Sequence, residues 1–160
     1  MAKEVISTGS AANDGTGDTL RAAGTKINSN FTELYDMRTR VTESKTISLG
    51  GADSDRLKFP NVGNSFVLHE IRSDQNAYIK IYTDSDSRVA DFGRGQLASP
   101  APAGLIHEVV ATANVPERIT PGILGYTDSN NATGIQVQVK NLTGGTATIN
   151  VRLKALKIEI

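Results

Sequence analysis

The stretch "TGIQVQVKNLTGGTATINVRLKA", residues 133–155, decides the fold. Apolar and polar residues alternate in its first half. Ile135, Val137 and Val139 fall on one side, Gln136, Gln138 and Lys140 on the other. A period of two means a strand with one face in a core and one toward water. The second half does the same, with Ile149, Val151 and Leu153 inward. Between them Gly144-Gly145 supplies a hairpin loop. Beyond, Leu156, Ile158 and Ile160 occupy the opposite parity, so a bulge is expected near Ala155.

Working outward, the chain from Thr46 onward reads as strands. Candidates are Thr46–Leu49, Arg56–Phe59, Ser65–Ile71, Ala77–Thr83, Leu105–Ala111, Ile119–Tyr126, Thr133–Lys140 and Thr146–Ile160. Gly, Asn and Asp clusters punctuate them. Residues 84–104, "DSDSRVADFGRGQLASPAPAG", form a long polar connection. No strand–helix–strand unit is visible, so a parallel sheet is not expected. The reading is mainly β: an antiparallel β-sandwich, jelly-roll-like, over residues 46–160.

Residues 1–45 differ. Asn13-Asp14-Gly15-Thr16-Gly17 is a turn cluster, and Asp18 or Thr16 can cap a helix over Thr19–Thr42. Leu20, Ile27, Leu34 and Val41 recur every seven residues, with Phe31 between them. This is a coiled-coil seam, with Gly24, Phe31 and Arg38 in the companion position. The rest of the helix is polar, and Asn28, Ser29 and Asn30 form helix poorly. Such a helix must bury its stripe. It packs either on the β body or against the same stripe in other copies. Its regular period and its place at one end of the chain favour self-association.

Composition narrows the function. Lys plus Arg and Asp plus Glu both count 17, so the 160-residue chain is formally neutral and mixed in sign. That gives no reason to expect nucleic acid as a partner. No apolar run is long enough to span a bilayer and no secretory leader is evident. With no cysteine, thiolate chemistry is excluded. "DFG" at Asp91–Gly93 lacks the other kinase motifs, and "AAGTK" at 22–26 has the wrong order for a phosphate loop. Asp84, Asp86 and Asp91 read as a solvated acidic loop. His69 and His107 stand alone. An enzyme, a metal site and a cofactor are not expected.

Residues 8–35, "TGSAANDGTGDTLRAAGTKINSNFTELY", resemble a segment found in bacteriophage virion proteins, among them tail fibres, baseplate-associated proteins and other appendages. The match is carried by Asn13-Asp14-Gly15-Thr16-Gly17-Asp18, Leu20-Arg21, Lys26-Ile27-Asn28 and Asn30-Phe31. "IRSDQNAYIKIYTDSDSRVAD", "ITPGILGYTD" and the C-terminal strands are more loosely similar to a β domain of phage structural proteins. The resemblance implies a virion component, commonly trimeric. Residues 1–45 would attach and oligomerise it. Val5, Ile6, Asn13, Asp14, Gly15, Gly17 and Asp18 would meet other virion proteins, with residues 1–18 ordered only on that partner. Leu20, Ile27, Phe31, Leu34 and Val41 would meet the sister copies. A second reading makes the β head a binder of host surface glycan.

Overall fold

The computed structural model describes residues 4–11, 14–36, 39–96, 98–99, 104–128 and 134–159. The chain divides into two compact units, Met1–Thr39 and Arg40–Ile160. The first contains one helix, α1 (Leu20–Asp36). The second carries, among the described residues, β1 (Arg40–Leu49), β2 (Ser54–Phe59), β3 (Ser65–Ser73), β4 (Ala77–Tyr82), the short helix α2 (Ser85–Ala90), β5 (Leu105–Ala111), β6 (Pro116–Tyr126), β7 (Ile135–Asn141) and β8 (Ala147–Glu159).

These strands form two four-stranded sheets, ordered β1-β8-β3-β6 and β2-β7-β4-β5. Every pairing is antiparallel. The alternating stretch does what its period requires. Ile135, Val137 and Val139 of β7 and Ile149, Val151 and Leu153 of β8 are wholly buried. They join one hydrophobic cluster with Phe59, Leu68, Ile71, Ile79 and Ile81, so both sheets share a core.

Three expectations need correction. The helix does not run to Thr42, and Val41 is not on it. Arg40–Leu49 is a strand paired without a break to β8, from Arg40 opposite Leu156 to Leu49 opposite Ala147. Val41, Thr42, Thr46 and Ile47 are β-branched and suit that pleated ladder better than a helix. Residues 37 and 38, where the seam would continue, lie outside the described residues.

The bulge is not at Ala155 either. Ala155 stays in phase and is buried in the core, while Ile158 is 44% exposed. The extra residue facing this point belongs to β3. Leu68 pairs with Ala155 and Glu70 with Lys154, which leaves His69 over. A second irregularity lies between Ser65 and Phe66, where the partners jump from Glu159 to Lys157.

The third correction concerns the far face of the second sheet. Gln136 and Gln138 do not face water; both are buried, as are Lys80 and Tyr82 on β4. The connection after β4 covers them. Asp84 caps α2 by accepting from the Ser87 N–H at 2.7 Å. Arg88 on α2 donates to Gln136 Oε1 at 2.5 Å. Gln138 Nε2 donates to the Phe92 carbonyl at 2.7 Å. Asp91 is not solvated. Its carboxylate accepts from Tyr82 at 2.6 Å, from Arg94 Nε at 2.6 Å and from Lys80 Nζ at 3.3 Å. Arg94 also pairs with Glu108 of β5, which accepts in turn from the Tyr78 hydroxyl at 2.6 Å.

Side-chain exposure at Lys80 and Asp91 is only 1% and 2%. Removing the carboxylate leaves Lys80 without a counter-charge in a low-dielectric site and takes one bond each from Tyr82 and Arg94. Asp91→Ala should therefore cost about 3–5 kcal/mol of unfolding free energy, the range for breaking a buried ion pair. Urea denaturation measures it, and a loss below about 1 kcal/mol, the surface-pair range, would contradict the network.

Candidate attachment and assembly surface

The first unit is a helix with a strap tied to it. Thr19 is the cap: its Oγ1 accepts from the Ala22 N–H at 3.2 Å. Asp18 and Thr16, the expected caps, have other work. Asp18 Oδ2 accepts from the Ser7 N–H and from Lys26 Nζ, both at 2.8 Å. Lys26 Nζ also donates to the Val5 carbonyl at 3.0 Å. One turn on, Asn30 works as a short piece of backbone. Its Oδ1 accepts from the Glu4 N–H at 3.0 Å and its Nδ2 donates to the Glu4 carbonyl at 2.9 Å.

The turn before the helix is organised by Asp14. Its carboxylate accepts from the N–H groups of Ser10 and Ala11 and from the Ser10 hydroxyl, at 2.6–2.7 Å. It accepts from the Thr16 N–H at 2.9 Å. Thr16 Oγ1 accepts a further, longer bond from Ser10 N–H. Gly15 sits at φ +70°, in the left-handed region that glycine tolerates. Gly17 serves close approach. A Cβ there would lie 3.0 Å from backbone atoms of Ser7, Thr8 and Gly9. The approaching backbone is thus the chain's own.

This alters the picture of residues 1–18. The described part of the segment follows a defined, hydrogen-bonded course on its own unit. It lacks apolar burial, as its composition implies, and polar contacts offset its chain entropy instead. Of the expected attachment residues, Asp14, Gly15, Gly17 and Asp18 come together in the strap. Val5 is exposed and Ile6 partly so, while Asn13 lies outside the described residues. Lys26 and Asn30, given no role in advance, prove central. The signal was there: an asparagine inside a helix is a poor former that repays its cost by a side-chain bond.

The strap occupies one flank of α1 and leaves the apolar stripe open. Leu20 is 92% exposed, Ile27 41%, Phe31 56% and Leu34 52%. Tyr35 beside them is 71% exposed. Gly24 in the same stripe has open space around it. Val41 is on β1 and adds nothing to this surface.

Elsewhere, a cleft of about 520 Å³ on the second unit is lined by Asp53, Asp55, Phe92, Arg94 and Lys140 among others. His69 and His107 do not meet; burial lowers the pKa of His107. Among the described residues no group of His, Asp and Glu converges as a metal site requires. No helix among them is long and apolar enough to cross a membrane.

The chain thus has a capped helix with a polar strap, followed by a unit of two antiparallel sheets. The protein is of the bacteriophage structural class, of tail or baseplate type. Residues 3–151 match the family described as "Bacteriophage T4 gp9/10-like protein, N-terminal", and the chain belongs to that family. No curated protein matches it.

Strap and turn both depend on carboxylates. Bonds from the Thr16 N–H, the Ser10 hydroxyl and the Ala11 N–H hold Asp14 well below its ordinary value of 3.8. The Lys26 ammonium, then the Ser7 N–H, lower Asp18. A lowered folded pKa stabilises above the unfolded value and is lost as pH falls through the folded one. The strap should therefore stay tied above pH 3.8 and release only in stronger acid. Carboxyl carbon NMR titration should place both midpoints below 3.8, and a midpoint at or above it for either residue would contradict this tie.

Proposed function

We propose that the protein is a trimeric adaptor of the virion. It associates through α1, attaches to a neighbouring virion protein through the strap, and presents a β-sandwich head of jelly-roll kind. Its role is structural and not catalytic. One observation carries the reading: the apolar stripe of α1 is open along its length, and its residues recur at 3.5-residue spacing. A helix of 17 residues spans about 25 Å. That offers a seam of roughly two heptads, and the surface complementary to such a seam is a second and third copy of itself. Burying Phe31 alone contributes about 1.5–3 kcal/mol per copy.

Light scattering on purified protein should give about three times the chain mass of 17.0 kDa. A monomer at micromolar concentration overturns the trimer. Ile27→Asp should disperse the assembly while the β unit stays folded, because a charge in the seam would meet its own copies out of water. If circular dichroism reports unfolding of the whole chain, α1 belongs to the core of the β unit and the seam reading fails. Deleting residues 1–17 tests attachment separately. Truncated protein should remain oligomeric but stay out of particles, and its incorporation at normal copy number would place attachment on the head.

The second reading, a head that grips host surface glycan, is favoured by the cleft on the second unit. Phe92 is 43% exposed there, beside the carboxylates of Asp53 and Asp55. An aromatic ring next to fixed polar groups is what a sugar face requires. A glycan array distinguishes it from the pure adaptor: retention that is lost in Phe92→Ala supports a glycan site, and no retention leaves the adaptor.

A further inference from the structure

Arg72 on β3 and Arg152 on β8 stand directly opposite each other. Side chains directly opposite across a sheet lie close, and like charges there repel. A formally neutral chain has ample carboxylates to avoid this, yet compensates one arginine only. Arg152 Nη2 donates to Glu70 Oε1 at 2.7 Å. The Arg72 side chain has no ion-pair or hydrogen-bond partner among the described residues. Arg152 Nε is shielded from solvent and likewise makes no hydrogen bond.

Both arginines line a hollow of about 260 Å³ with Ser44, Asp74, Asn114 and Asn150. Three of these walls are fixed from behind. Asp74 Oδ1 accepts from the Asn150 N–H at 2.7 Å. Asn150 Nδ2 donates to Thr46 Oγ1 at 2.9 Å. Asn114 Nδ2 donates to the Asp74 carbonyl at 3.4 Å, and its N–H donates to the Ser73 carbonyl at 2.8 Å. Ser44, opposite Arg152 on β1, offers an exposed hydroxyl.

We propose that Arg72 and Arg152 form a binding site for a carboxylate. The unpartnered guanidinium of Arg72, opposite Arg152, matches the two oxygens of that group, which accepts parallel N–H bonds. With Arg152 held by Glu70 and Asp74 on the wall, the hollow has no surplus of positive charge, which suits a monoanion rather than a phosphate dianion. Occupation would offset the cross-strand repulsion between the two arginines. The carboxylate can come from an acidic side chain or from an acidic sugar, and the site recognises the group common to both.

The test follows the Arg Nε–Hε NMR signals of the full chain during titration. The probes are acetate, capped glutamate and glucuronate, with chloride and phosphate as controls. Saturable shifts at Arg152 and Arg72 with the carboxylates support the site, and the better of glutamate and glucuronate identifies the source. Arg72→Gln should weaken binding about tenfold or more, since a bond to a charged group is worth about one such factor. Arg152→Lys keeps a cation for Glu70 but removes the planar guanidinium beside Arg72, and should weaken binding comparably; unchanged backbone spectra verify that both variants fold. Shifts that stay linear, survive both substitutions, appear equally with chloride, or favour phosphate would overturn the proposal.

Discussion

The second sheet of the β unit depends on one carboxylate. β4 and β7 have polar side chains on their outer face, and such a face belongs in water unless its groups are paired. Asp91 makes pairing possible. It sits just past α2 and takes bonds from Tyr82, Lys80 and Arg94, so the connection after β4 can lie on the sheet without leaving a buried charge alone. Gln136 and Gln138 are satisfied by the same segment, through Arg88 and the Phe92 carbonyl. The result is a sheet buried on both faces, one apolar and one polar. Desolvation opposes every charged member, and the network holds because each charge has a partner in place. The same segment places Phe92 and Arg94 on the wall of the large cleft.

The N-terminal unit solves a different problem. It has too few apolar residues to make a core and leaves the large ones exposed. Its internal order is polar: Asp14 gathers the turn, and Lys26 and Asn30 tie the strap to α1. Each contact is exposed and individually small. What they accomplish is to fix which side of the helix is covered. The strap takes the flank of Lys26 and Asn30, so Leu20, Ile27, Phe31 and Leu34 remain available. Polar chemistry thus selects the face, and apolar surface supplies the affinity for whatever meets it.

How much of this was legible in the sequence follows from the range of each signal. Strand periodicity is local, and the eight strands lie close to where alternation puts them. The two inward rows of β7 and β8 are in the core. Misreadings arose where a residue's environment is set by chain far away. Gln136 and Gln138 alternate like surface residues, and only the segment some fifty residues earlier makes them interior. Val41 extends a seven-residue spacing, but pairing with β8 overrides the arithmetic, and β-branched neighbours were the overlooked clue. The course of the strap is set by polar bonds, of which apolar content gives no sign. Asn30 in a helix and Asp14 before a glycine were local signs of side-chain-to-backbone bonding. The Arg72–Arg152 pair was not legible at all, since strand register between distant segments creates it.

These features imply a division of labour along the chain. The β unit has its own core, its own satisfied polar network and two well-matched sheets. The N-terminal unit has neither core nor cover for its stripe, so its helix is stable in proportion to what it meets. A chain built this way can circulate as a folded head with a marginal helix and complete itself on assembly. Under the proposed self-association, helix order would be coupled to assembly by mass action: the exposed stripe adds nothing to a single chain, and each added copy would bury apolar surface. In the proposed seam, Gly24 would leave a gap, because it has no side chain to fill the stripe between Leu20 and Ile27. On the proposed assembly, order of the helix would come from association, whereas the strap and the head are ordered by contacts within the chain.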